Sequence, residues 1–277
     1  MEADRELASV VDEEARVRML AVRNAVGGRF LCNPRADLRE LTTPYWRVMV
    51  RLRLGLSVLP DTGCPPRCAM EYADGTGKCL KPTDAWGNHA VSCAVGPWRG
   101  RRHSALAKLL WKWLSDAGWI ADREVMVPKW RKVEGDGRVV QAVMDIVASG
   151  HSHMPSMMID ASIRSPHAAQ YRPRAARVPG HALEVCESQK HVRYPDREGL
   201  HVRVAAVECF GRLGSEFSSI LEVAAAAHSE ERRSRGLPSR SVKDRWLTQL
   251  SVCVAWHVSN AVLLSHKSSS EEQPLPD

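Results

Sequence analysis

Two aspartates interrupt apolar runs that otherwise read as buried strands: Asp145 in "VVQAVMDIVAS" and Asp160 in "SMMIDASIRSP". A carboxylate among buried aliphatics is costly unless a cation, a hydrogen-bond network or a metal compensates for it. The intervening "GHSHMP" can turn a hairpin about Ser152 and His153. That antiparallel register sets Asp145 directly opposite Asp160 on one face, roughly 5 Å apart. Like charges so placed destabilise each other unless they share a proton or a cation, and a hard divalent ion such as Mg²⁺ (or Mn²⁺) is the natural resident. Next to a phosphodiester, such an ion polarises the scissile phosphate and helps ionise a water nucleophile. Ser162 stands two residues after Asp160, so the strand supplies no lysine there; Lys190, in the helical "ESQKHVRY", is the cation that could reach over the sheet. Glu208 in "AAVECFGRLG" is a third acid within an apolar strand and a candidate addition, and Glu124 a weaker one. A single acid at a strand end usually just points into water; two in neighbouring strands favour a functional pair.

A second constellation is "CPPRCAMEYADGTGKCLKPTDAWGNHAVSC", with Cys64, Cys68, Cys79, His89 and Cys93 as candidate ligands. Zinc takes four soft ligands in a tetrahedron, usually as two short pairs on turns. His89 and Cys93 make one pair, with Gly87 allowing a tight turn before it. The other pair stays open: ten residues separate Cys68 from Cys79, while Cys64 with Cys68 would leave Cys79 spare. The competing reading is a loop of reduced cysteines. "YADG" within it sits in a Gly-rich turn, not a hairpin of apolar strands, and is read as a coincidental echo of a polymerase motif.

These side chains need elements to hold them. Residues 5–26 read as a surface helix, 42–56 as a second helix or an extended connector, basic on one side, and 60–98 is too poor in aliphatics to fold without a staple. "HSALAKLLWKWLSDAGW" is an amphipathic helix stopped by Gly118. Strands are expected over 123–128, 139–149, 156–166 and 202–210, and helices over 182–194, 215–228 and 241–265. From residue 103 the order is helix, three strands, helix, strand: a small α/β (α+β) domain with a mixed sheet flanked by helices. The most apolar window, Trp246–Leu264, is interrupted by Gln249, Ser251, His257, Ser259 and Asn260 and reads as a buried helix, not a membrane span.

The formal charge of +7 is a moderate basic excess, which suits a nucleic-acid partner without requiring one. The N-terminus is charged from its second residue and does not read as a secretory signal, so the eight cysteines are expected to be reduced or metal-bound.

The order of features, a knuckle ending in "GNHAVSC", then "RRHSAL", "MDIV", "IDASIRSPHA", "ESQKHVRY" and "VECFGRLG", resembles the C-terminal part of non-LTR retrotransposon proteins that carry a restriction-like endonuclease. The resemblance spans about residues 45–265 and implies a CCHC zinc knuckle, an R/K-H-N motif and a PD-(D/E)xK nuclease core. It matches Asp145 and Asp160 to the two metal-binding acids, with Met144 where the pattern has proline, and Lys190 to a lysine displaced onto the helix. Arg102 and His103 match the first two residues of R/K-H-N, and Ser104 stands where asparagine is usual. Cys79, His89 and Cys93 match three knuckle ligands. The implied organisation is a helical connector (1–58), the knuckle (59–98), the nuclease core (99–214), C-terminal helices (215–267) and a disordered tail (268–277), as in a piece detached from an upstream reverse transcriptase. Arg101, Arg102, His103, Lys129, Arg131 and Lys132 are then expected to grip DNA, or the element's RNA, through its backbone. Trp98 and Trp130 accompany these basic runs, whereas Trp111 and Trp113 read as core. A nuclear protein that nicks DNA follows; a catalytically dead nucleic-acid-binding remnant and a zinc-stapled protein-interaction module are the alternatives.

Overall fold

Alternating aliphatics over 143–149 and a two-sided apolar run over 157–164 place these segments inside a four-stranded sheet. In the computed structural model the described residues are 12–266, without 37–38, 59–66, 134, 152–153, 198 and 239–241. The strands are Ile120–Met126 (β1), Val143–Ser149 (β2), Met157–Arg164 (β3) and Val202–Glu208 (β4), hydrogen-bonded in the order β1-β2-β3-β4. The first two pairings are antiparallel and β3–β4 is parallel. A parallel pair needs a long crossover, which the helix His181–Arg193 (α5) supplies. The β2–β3 ladder pairs Ile146 with Ile159, Val147 with Met158 and Ala148 with Met157, the register that the hairpin expectation requires.

Period-two alternation sends Ile146, Ile159, Ala161, Ala205 and Val207 to one face, against the helices Trp98–Asp116 (α4) and Ser215–Ser234 (α6). Val204 and Ala206 face the other way, against Leu183 and Cys186 of α5. The fold is therefore mixed α/β, a mixed sheet flanked by helices on both faces.

The helices Glu13–Val22 (α1), Thr43–Leu54 (α2) and Asn88–Ser92 (α3) do not form a separate connector. Met49 and Leu52 of α2 and Ala90 and Val91 of α3 join the main core, closed by Lys243–Ser265 (α7). That helix is long and apolar enough to cross a membrane, and 78% of its apolar window is buried in the fold. Three of its buried polar residues are paired: Gln249 accepts from Trp113 Nε1 (2.7 Å), Ser251 Oγ from the Phe30 amide (3.0 Å), and Asn260 Oδ1 from the Tyr45 hydroxyl (3.1 Å). Trp113 stacks on Trp246 at 5.3 Å. The expected tail and residues 1–11 lie outside the described residues.

Candidate active site and metal centre

The β2–β3 ladder stops at Ile146 and Ile159, one step short of the two aspartates. At the next level the Ala161 amide donates to Asp145 Oδ2 (2.6 Å), so a side chain stands where a backbone acceptor would continue the sheet. His103, one turn into α4, brings Nε2 to 3.1 Å from the same oxygen. On the neighbouring strand, Lys190 Nζ of α5 donates to Asp160 Oδ2 at 2.7 Å. Asp145, Asp160, Lys190 and His103 thus meet at one end of the β2–β3 pair, held by a strand hairpin and by one helix from each face.

The electrostatics follow from burial. Asp160 is 4% exposed, and desolvation raises its pKa against the opposing pull of Lys190. The hydrogen bond to Asp145 raises that of His103. Asp160 Oδ1 is buried with no hydrogen-bond partner, an uncompensated acceptor of the kind that a cation or an ordered water satisfies.

Glu208 is not brought to this point, which corrects the expectation of a third acid there. The parallel register sets Asp160 beside Val204 and Glu208 beside Arg164, four residues and roughly 13 Å farther along the strand. Glu208 lies instead 3.6 Å from Arg212 Nε, and burial pushes its pKa up to about 7. Arg102 is a second correction. It is 8% exposed and donates to the Val91 carbonyl (3.1 Å), tying α4 to α3, so it faces no nucleic acid. His103, expected to touch nucleic acid, sits on Asp145. No sequence signal separates these neighbours except the helical angle between them.

The remaining basic residues do reach the surface. Arg101 is exposed and lies over the Trp98 ring at 4.7 Å. With Lys108 and Arg123 they line an open groove of about 590 Å³, whose lining among the described residues includes Ser104 and Trp256 and no carboxylate. Lys129, in a 3₁₀ turn over Pro128–Trp130, and Arg131 just after it are exposed, as is Lys132 at the start of a small two-stranded ribbon, Lys132–Val133 with Val139–Val140. Trp130 is buried, packed edge-on to Tyr194 (5.7 Å) and donating to the Pro195 carbonyl. It is therefore a core anchor and not a stacking platform. Met144 packs into the same cluster with Val127 and Val202, a buried role that a non-ligating position permits.

The knuckle ligands resolve differently. Cys68, Cys79, His89 and Cys93 place their donor atoms within 4.8 Å of one another, a Cys₃His set that can bind zinc. The Cys68–Cys93 separation is 4.0 Å and Cys79 Sγ–His89 Nε2 is 3.5 Å, close to the tetrahedron edges of roughly 3.5–3.8 Å that zinc bond lengths dictate. Among the described residues this is the one such group. Cys68 completes a four-ligand set; the alternative, Cys64, lies outside the described residues. Gly87, at φ +69, makes the expected turn, and Asp84 caps α3 by accepting from the Asn88 (2.9 Å) and His89 (2.7 Å) amides. Burial pushes the Cys68 thiol up to about 12 in the absence of a cation.

Compared with known protein families and with curated proteins, the chain has no match.

Proposed function

We propose that this chain is a divalent-metal-dependent DNA endonuclease with a PD-(D/E)xK-type core, derived from a retrotransposon protein and acting in the nucleus. The observation that carries this reading is the approach of Lys190 Nζ to Asp160 Oδ2 beside the Asp145–His103 pair. The element order supports it: a helix, three antiparallel strands, a crossover helix and a parallel fourth strand.

Asp145 and Asp160 would hold Mg²⁺ or Mn²⁺, with Asp160 Oδ1 as an unspent ligand atom. When bound there, such an ion polarises a scissile phosphate and lowers the pKa of water. Lys190 has a charge that offsets the extra negative charge of a phosphoryl transition state, and three donors to orient a water. His103 and the Ala161 amide fix the Asp145 carboxylate from two sides, so its orientation is set before substrate arrives. Lys190 also lies 5.9 Å from the Tyr194 ring, which packs on Trp130; the exposed Lys129, Arg131 and Lys132 flank Trp130 in the chain and would contact a phosphate backbone.

The test is cleavage of plasmid and single-stranded DNA by purified protein in Mg²⁺ or Mn²⁺, against Asp160→Ala. Cutting that disappears in the variant supports the reading. Salt-sensitive DNA binding with no cutting would replace it with the nucleic-acid-binding remnant.

A further inference from the structure

Asp145 has an acidic neighbour on its other side as well. The β1–β2 ladder pairs Arg123 with Ile146 and Val125 with Met144, so Glu124 stands level with Asp145. Asp122 and Met126 alternate onto the face of Asp145 and Val147, the face that α5 covers, and Glu124 lies between them at the level of Asp145. Since Asp160 stands level with Asp145 across the hairpin, the backbone positions of three acids stand level on three adjacent strands, roughly 5 Å from strand to strand.

At Glu124 the strand leaves its regular geometry. Its φ is +57, and it is one of two non-glycine residues with positive φ among the described residues. The ladder skips Glu124 and resumes on both sides with the register unshifted, so no residue is inserted; one residue is turned. A glutamate is a poor occupant of the left-handed region, and non-glycine residues held there concentrate at functional sites. The side chain is not used in packing: it is 73% exposed, with Oε1 3.8 Å from Arg123 Nη2. Independently of this backbone feature, Asp160 Oδ1 is a buried, unpartnered ligand atom in a residue 4% exposed.

We infer that Glu124 is the third acid of the site and supplies the outer oxygen ligand to the divalent ion held by Asp145 and Asp160; this rests on the metal-dependent reading above. The extra methylene of glutamate relative to aspartate provides the reach that the outer place in the row demands. Its exposed side chain can swing in without unpacking the core.

Mn²⁺ binding to the zinc-loaded full chain, followed by electron paramagnetic resonance, tests this without a turnover assay. Glu124→Asn removes the carboxylate while keeping a residue that tolerates positive φ, and Glu124→Gln keeps the shape. Both are expected to weaken Mn²⁺ binding at least about tenfold with the thermal midpoint retained, and Asp145→Asn to abolish it. Wild-type affinity in either Glu124 variant, with binding lost in Asp145→Asn, would overturn the inference and leave the two-aspartate site standing. Wild-type binding in Asp145→Asn would remove both.

Discussion

Lys190 and Asp160 lie 30 residues apart in sequence, yet Nζ and Oδ2 meet at 2.7 Å where α5 crosses β3. Asp160 is 6% exposed at its side chain and Lys190 19%, so this is a nearly dry ion pair. Removing one partner strands the other, which is where such pairs reveal themselves.

Lys190→Met is therefore expected to abolish cleavage and to lower stability at pH 8 by about 2–3 kcal/mol. The loss should shrink toward pH 4, because an isolated buried Asp160 can take up a proton. Adding Asp160→Asn should recover much of the stability without the activity. Urea unfolding of the single and double variants at both pH values reads all three effects.

Zinc removal should loosen more than the knuckle. Cys68, Met70 and Cys93 pack against Ala261 of α7, and Arg102 ties α3 to α4. Elemental analysis should find one zinc per chain. Cys93→Ser or a chelator should cost roughly 3 kcal/mol or more and unfold the start of α4, where His103 sits. Hydrogen exchange over residues 88–105 is the direct readout.

His167 gives an acid-side signature. It is 6% exposed, both ring nitrogens are buried without a hydrogen bond, and burial together with Arg18 drives its pKa down to about 3. The unfolded chain binds a proton below about pH 6.5 while the folded one does not, so stability falls as pH drops through the 6.5-to-3 window, by about 2 kcal/mol at pH 5. His167→Phe should flatten that stretch of the stability–pH curve.

Glu208 has the opposite slope. Its pKa is about 7 in the fold, so the folded state holds a proton that the unfolded state releases near pH 4.5. Stability is highest below 4.5 and declines as pH rises to about 7, by an amount on the order of 2–3 kcal/mol. Glu208→Gln should remove the decline and leave Mn²⁺ binding unchanged, since Glu208 stands away from Asp160.

Arg101 and Arg102 should separate cleanly. Arg102→Met leaves the Val91 carbonyl without its donor inside the fold and is expected to cost about 2 kcal/mol of stability. Arg101→Ala should leave the unfolding midpoint in place and reduce the salt dependence of DNA binding by about one phosphate contact. Denaturation and salt-titrated binding distinguish the two.

The sequence by itself determined what local rules govern. Period-two alternation marked the strands, and a short loop between two apolar runs gave the β2–β3 register that levels Asp145 with Asp160. The spacing of His89 and Cys93 behind Gly87 marked half of a zinc site. Only the tertiary structure decided between residues whose local patterns are alike. Glu208 and Asp160 both interrupt apolar strands, but the parallel register of β3 with β4, made through a crossover of many residues, sets which level each occupies. The spacing of Cys68 to Cys79 left the other half of the zinc site open, and the fold of the loop brings Cys68 within reach of Cys79 and Cys93. Arg101, Arg102 and His103 are consecutive on one helix, and the 100° turn between neighbours sends one to solvent, one to the Val91 carbonyl and one to Asp145. Alternation within an element is written in short-range sequence; which elements lie side by side is decided by long-range packing, and the candidate site is built where they meet.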